Sequence, residues 1–133
     1  MTERTGLDPQ KDYWYTSWEL FRCCLLRTLL SYEGKPTAEG GSILRPDLAV
    51  SMPEVSADGL TWTFRIREGL RYAPPLQDLD ITAQDFIRAI ERTAYPGTAA
   101  GYPFYYSIIQ GFDQFVAGDA TRSRGWRLPT TEP

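Results

Sequence analysis

The segment that most constrains the fold is Leu60-Thr61-Trp62-Thr63-Phe64-Arg65-Ile66-Arg67. Apolar and polar side chains alternate through it with a period of two, the spacing of a strand with one buried and one wet face. Ala57-Asp58-Gly59 stands just before it. An Asp-Gly pair at that place is a strong hairpin turn, and the extended stretch from Val50 to Ser56 supplies the partner strand. The alternation assigns Trp62 and Phe64 to the core.

Helical spacing takes over on either side. Thr16 and Glu19 stand as a capping box, and apolar positions 18, 21, 25 and 29 follow. This predicts a helix from Ser17 to Ser31 that stops near Gly34, with Arg22 and Arg27 on its solvated face. Lys35 to Ser42 reads as a polar loop, and Ile43 to Ala49 as a short apolar segment bent at Pro46. Thr82-Ala83-Gln84-Asp85 opens a second helix through Phe86, Ile87, Ala89 and Ile90, ending before Tyr95-Pro96-Gly97. An aromatic loop, Tyr102 to Tyr106, precedes a third helix through Ile108, Ile109, Phe112 and Phe115. The order helix, hairpin, helix, helix predicts a mixed α/β fold with a small antiparallel element. Residues 7–118 read as one domain without an internal boundary, and 119–133 as an irregular tail.

Composition narrows the chemistry. The 133 residues carry a net charge of −3, and the one basic cluster is Arg122, Arg124 and Arg127. Nucleic acid is therefore not an expected partner, because phosphate binding needs a concentrated basic face. There is no His, the commonest general base. The two cysteines, Cys23 and Cys24, are adjacent. On a helix they would point about 100° apart, out of reach of an ordinary bridge, and they read as small buried hydrophobes. No zinc set, nucleophile elbow or Gly-rich phosphate loop is present in the sequence. Asp78, Asp80, Asp85 and Glu91 sit in loop and helix-start contexts where acids serve local needs. The expectation is a protein that is not an enzyme and needs no cofactor. No apolar run approaches the ~20 residues of a membrane span. Met1 to Gly6 lacks the apolar core of a signal peptide, so the chain read alone stays where it is made.

Five motifs occur in order: Leu7-Asp8-Pro9; Leu29-Leu30-Ser31-Tyr32; Leu44-Arg45-Pro46-Asp47-Leu48-Ala49; Ser56 to Gly69 with its Asp-Gly turn; and Ile81-Thr82-Ala83-Gln84-Asp85-Phe86. Together they resemble the extracellular solute-binding proteins of family 5, the oligopeptide- and dipeptide-binding proteins of ABC importers. The resemblance covers about Leu7 to Gly118. It departs at Tyr72-Ala73-Pro74-Pro75, where the family usually has His-Asp-Gly, and in lacking the usual Trp after Ala49. It implies part of the N-terminal lobe of a type II periplasmic-binding-protein fold. It further implies a short peptide or related solute as ligand, a permease as partner, and a lipoprotein-like place on the outer side of the cytoplasmic membrane. Because family members are several times longer, a homo-oligomer is one way to cover an exposed core.

By the same resemblance two segments line the ligand cleft: Asp12, Tyr13, Trp14 and Tyr15 after the first motif, and Tyr102, Tyr105 and Tyr106 in the aromatic loop. Tyr and Trp suit the task, since flat rings cover varied side chains while the hydroxyl or indole N–H fixes orientation. Local roles compete for several of them. Trp14 can staple the first helix, Asp12 can be a solvated loop acid, and of the adjacent Tyr105 and Tyr106 only one can face the cleft. Two other functions stand beside this one: a stand-alone fragment serving as an interaction domain, and an aromatic-rich carbohydrate-binding module. The helices argue against the module, which is typically a β-sandwich.

Overall fold

The computed structural model describes residues 7–118, so the expected tail at 119–133 lies outside the described residues. In chain order the elements are α1 (Tyr15–Leu20), β1 (Leu30–Tyr32), β2 (Leu44–Pro46), β3 (Glu54–Val55), β4 (Trp62–Thr63), α2 (Ala83–Ala94) and α3 (Phe112–Val116). The mixed α/β class with small antiparallel sheets is as expected. Within the described residues the packing divides into two compact units, 22–82, and 7–21 together with 83–118.

Within Arg22–Thr82 the hairpin forms where the sequence places it. β3 and β4 pair antiparallel, with Val55 opposite Trp62 and Glu54 opposite Thr63. Gly59 takes the left-handed conformation the turn requires, at φ 72°. The Asp58 carboxylate accepts the Leu60 N–H at 3.0 Å and the Ser56 hydroxyl at 2.5 Å. Those bonds, Ser56 first, hold the Asp58 carboxyl below the usual carboxylate range. Beyond β4 the pairing resumes on the Leu48-Ala49 side. Arg65 O accepts the Val50 N–H at 2.8 Å, and the Arg67 N–H reaches Leu48 O at 2.9 Å.

Leu29 to Tyr32, expected as the end of the first helix, runs extended and includes β1. It pairs antiparallel with β2, Leu30 opposite Pro46 and Tyr32 opposite Leu44. The Leu29 carbonyl accepts from the Asp47 and Ala49 N–H groups at 3.0 and 3.1 Å. Asp47 ties the neighbourhood together. Its carboxylate takes Arg27 at 2.5 Å and the Thr28 N–H at 3.3 Å, and its carbonyl takes Arg67 Nε at 2.8 Å. Leu48 and Ala49 are buried behind it. Tertiary pairing has overridden a helical pattern here, as it commonly does for a weak local preference.

Two further expectations are corrected in this unit. Trp62 is 59% exposed rather than in the core, its indole N–H turned back onto Gly59 O at 3.0 Å, and Phe64 is half-buried. A two-stranded ribbon has little surface of its own to cover them. Cys23 and Cys24 are bonded to each other and exposed, not buried as free thiols. The chain there is a π-helical turn, Phe21–Leu25, so the α-helical offset does not apply.

In the other unit α2 runs as expected and stops at Tyr95-Pro96-Gly97. It packs beside α3 and the aromatic turn at Pro103–Tyr106. Ala94 and Phe112 are buried, as is Phe21. The third helix is shorter than predicted: Gly111 sits at φ 86°, and helical geometry begins only at Phe112. The first helix starts earlier than its capping-box spacing suggests. Trp14 is the N-cap residue, and Thr16 lies inside α1, with no side-chain cap.

Candidate functional site

Three residues fix the loop that leads into α1. Arg92 of α2 grips Asp8 with two nitrogens, Nη2 to Oδ2 at 2.5 Å and Nη1 to Oδ1 at 3.0 Å. It also donates to Gln10 Oε1. Gln10 in turn donates to Ala89 O at 2.6 Å and to the Thr93 hydroxyl at 3.0 Å. The Arg92 guanidinium holds the Asp8 carboxyl below its usual range, and Asp8 raises the already high value of Arg92. Pro9 and the Asp8 backbone complete a tight bend, with Lys11 and Asp12 N–H both donating to Asp8 O at 3.1 Å.

Asp12 comes next, only 4% exposed. Its Oδ1 accepts the Trp14 N–H at 2.9 Å, and its carbonyl accepts the Trp18 indole N–H at 3.0 Å. These bonds set the entry angle of α1. They also turn the Asp12 carboxylate into the loop, so that Asp12 lies beneath the candidate surface. Tyr13, Trp14 and Tyr15 are exposed above it.

Here the second segment arrives. Gly101 N–H donates to Gln10 O at 3.0 Å, and a Cβ at Gly101 would touch Asp12 O at 3.4 Å, so the two strands of chain lie close. Tyr102 stacks on Tyr13, centroids 4.9 Å apart with planes 11° from parallel, and its hydroxyl donates to Tyr13 O at 3.1 Å. Desolvation, then Tyr13 and Tyr105, raise the Tyr102 phenol above its usual value, so it stays neutral. Tyr105 leans on Tyr102 at 5.7 Å. Tyr106 instead stacks on the buried Phe112 at 5.9 Å. Of the adjacent pair, Tyr105 joins the exposed cluster, while Tyr106, also exposed, lies against Phe112.

Four rings make one cluster: Tyr13, Tyr102, Phe104 and Tyr105. Phe104 was absent from the sequence-derived set, although it lies between two members and contacts Tyr105 at 4.4 Å. Asp8, Gln10 and Arg92 were absent too. No local pattern marks an exposed helical arginine as the partner of a loop acid 84 residues away.

Residues 44–123 match the family model described as bacterial extracellular solute-binding proteins, family 5 Middle. The chain belongs to this family. It is 36% identical over 78 residues to the periplasmic oligopeptide-binding protein OppA of Haemophilus influenzae, covering 59% of this chain and 14% of that protein. It is 30% identical over 70 residues to the oligopeptide-binding protein AmiA of Streptococcus pneumoniae, covering 51% of this chain and 10% of the relative. Among solved structures it resembles the pheromone receptor PrgZ, described together with its mode of peptide binding. The TM-score is 0.69 at 28% identity, covering 86% of this chain and 20% of the receptor. This family 5 chain therefore spans a small fraction of the length of these relatives, corresponding to part of a lobe. By name OppA and AmiA are oligopeptide-binding proteins. Among the described residues no helix is long and apolar enough to cross a membrane.

Proposed function

We propose that this family 5 chain contributes one face of a peptide-binding site, with Tyr13, Trp14, Tyr15, Tyr102 and Tyr105 toward the ligand and Asp12 and Tyr106 holding them in place. The role is solute capture for an ABC importer on the outer side of the cytoplasmic membrane, with a permease as downstream partner, and not catalysis. The single observation that carries this reading is the Tyr13–Tyr102 stack, which brings two segments 89 residues apart into one exposed aromatic cluster. Names of relatives support peptide as the solute class. The test is titration of a mixed short-peptide pool, followed by tryptophan fluorescence and by thermal melting. A ligand that binds only the native state raises the melting temperature. Peptide-dependent stabilisation, weakened by Tyr105→Ala, is expected; no shift with any peptide overturns the reading.

A second reading has its own observation. The hairpin unit exposes Leu60, Val55 and Trp62 on the turn and strands. Exposed apolar groups gathered in one element suit a protein contact, including a second copy of the chain. Sedimentation of the wild type and of Trp62→Asp separates the two: a dimer lost in the variant favours this reading.

A further inference from the structure

The apolar spacing at positions 18, 21, 25 and 29 predicts a first helix that runs on to Ser31, yet α1 ends at Leu20. A π-helical turn follows over Phe21–Leu25, and Cys23 and Cys24, bonded to each other, lie inside it. Neighbouring side chains on an α-helix point about 100° apart, so a bond between them and a continued α-helix exclude each other at these two residues. Leu20, Arg22, Leu25 and Leu26 surround the pair, and Leu and Arg are good helix formers. The far end of the segment is fixed: the Asp47 carboxylate holds Arg27 at 2.5 Å and the Thr28 N–H at 3.3 Å. With the bond open, the local sequence therefore favours α-helix as far as Leu25 and no farther than the Asp47 attachment allows.

Phe21 is the buried residue of the turn, whereas residues 22–28 are all exposed, both cysteines among them. A thiolate from outside can approach the pair. The sequence contains these two cysteines and no others, so an opened bond has no other partner within the chain and closes on itself again when oxidised. We propose that the Cys23–Cys24 bond is a redox-sensitive modification site, opened by a dithiol, and that its reduction lengthens α1 through Leu25. One thiolate of the dithiol attacks a sulfur of the pair, forming a mixed disulfide and releasing the other cysteine. The second thiol of the reductant then displaces the first cysteine. Two electrons and two protons pass to Cys23 and Cys24, and the reductant leaves as its own disulfide.

Dithiothreitol and N-ethylmaleimide test the chemistry on the full folded chain, read by intact mass. The untreated chain is expected to take up no maleimide, and the chain treated with dithiothreitol and then freed of it to take up two, one at each cysteine. Uptake by the untreated chain overturns the site. So does a folded chain that takes up none after treatment when the urea-unfolded chain takes up two. Backbone Cα chemical shifts of the oxidised and reduced chains test the change of shape. Those of Arg22, Cys23, Cys24 and Leu25 should move to α-helical values on reduction and return on reoxidation, while those of α2 stay in place. At Arg22 and Leu25, Cys23→Ser/Cys24→Ser should show the reduced pattern without any reductant. Unchanged shifts in the reduced wild type, or random-coil values at residues 22–25, overturn the helix extension.

Discussion

Asp8 and Arg92 form a two-pronged ion pair, at 2.5 and 3.0 Å, between the loop that enters α1 and the last turn of α2. The geometry matches the planar fork of a guanidinium to both oxygens of a carboxylate. Gln10 adds bonds to Ala89 and Thr93, so the loop is held along a full turn of α2. Tyr13 lies only five residues beyond Asp8, and the placement of its ring depends on this attachment.

Asp8→Ala should therefore destabilise the chain by about 1 kcal/mol, the upper range for a partly exposed pair. Arg92→Lys should recover less than half of what Arg92→Ala loses, because an ammonium cannot span both oxygens. A double-mutant cycle in urea measures the coupling. A coupling energy near zero would mean that the pair contributes nothing to stability.

The same pair sets a direction for pH. Hydrogen bonding from Arg92 lowers the Asp8 carboxyl in the folded chain. Between the folded value and the unfolded value near 4 the unfolded chain binds more protons, so stability rises with pH through that window. The contribution is complete above the unfolded value and is lost as pH falls through the folded one. Melting temperature should fall on acidification below about pH 4. Asp8→Asn should flatten that slope, and an unchanged slope would remove Asp8 as its source.

What was legible in the sequence was local. The Asp58-Gly59 turn and the start of α2 each follow from a few consecutive residues and stand in the structure. The strand expected over Leu60–Arg67, by contrast, is regular only at Trp62–Thr63, with a single bridge from Ile66 to Ala49 beyond it. Leu29 to Tyr32 was not legible. Its extended form depends on hydrogen bonds to residues 44–49, which no pattern within residues 17–31 contains. Period-two alternation located β4 but gave neither its short extent nor the exposure of Trp62, because burial depends on what covers a face and not on which face a side chain takes. At the site, resemblance supplied Tyr13 and Tyr102 separately. Their stacking rests on the long-range attachments at Gln10, Gly101 and Arg92.

Leu48 and Ala49 are the buried apolar residues of the Arg22–Thr82 unit. So small a core has little reserve when volume is removed. Leu48→Ala should cost about 2–4 kcal/mol. Guanidinium unfolding measures it, and a loss below 1 kcal/mol would contradict the central place given to this residue.

Two glycines separate two causes of intolerance. A Cβ at Gly41 would collide with the Lys35 carbonyl oxygen, whereas a Cβ at Gly59 meets open space. Gly41→Ala should destabilise by about 1–3 kcal/mol through backbone displacement. Gly59→Ala should cost about 1 kcal/mol through its left-handed φ alone, and Gly59→Asn less, since Asn tolerates that conformation. Thermal melts of the three variants order them, and equal losses for Gly59→Ala and Gly59→Asn would contradict the conformational account.

Tyr102 combines two contributions that substitution can divide. Its ring stacks on Tyr13, and its hydroxyl donates to the Tyr13 carbonyl. Tyr102→Phe keeps the ring and removes the donor, leaving one carbonyl to water; a loss of about 0.5–1.5 kcal/mol in stability is expected. Tyr102→Ala also removes the stack, worth about another 0.5–1.5 kcal/mol beyond area burial. If the cluster is the ligand surface, peptide affinity should fall more between Phe and Ala than between Tyr and Phe. Calorimetric titration of the three proteins with Ala-Leu-Phe-Leu-Ala reads this order. The reverse order would mean that the hydroxyl's grip on the loop, and not the ring surface, is what the ligand depends on.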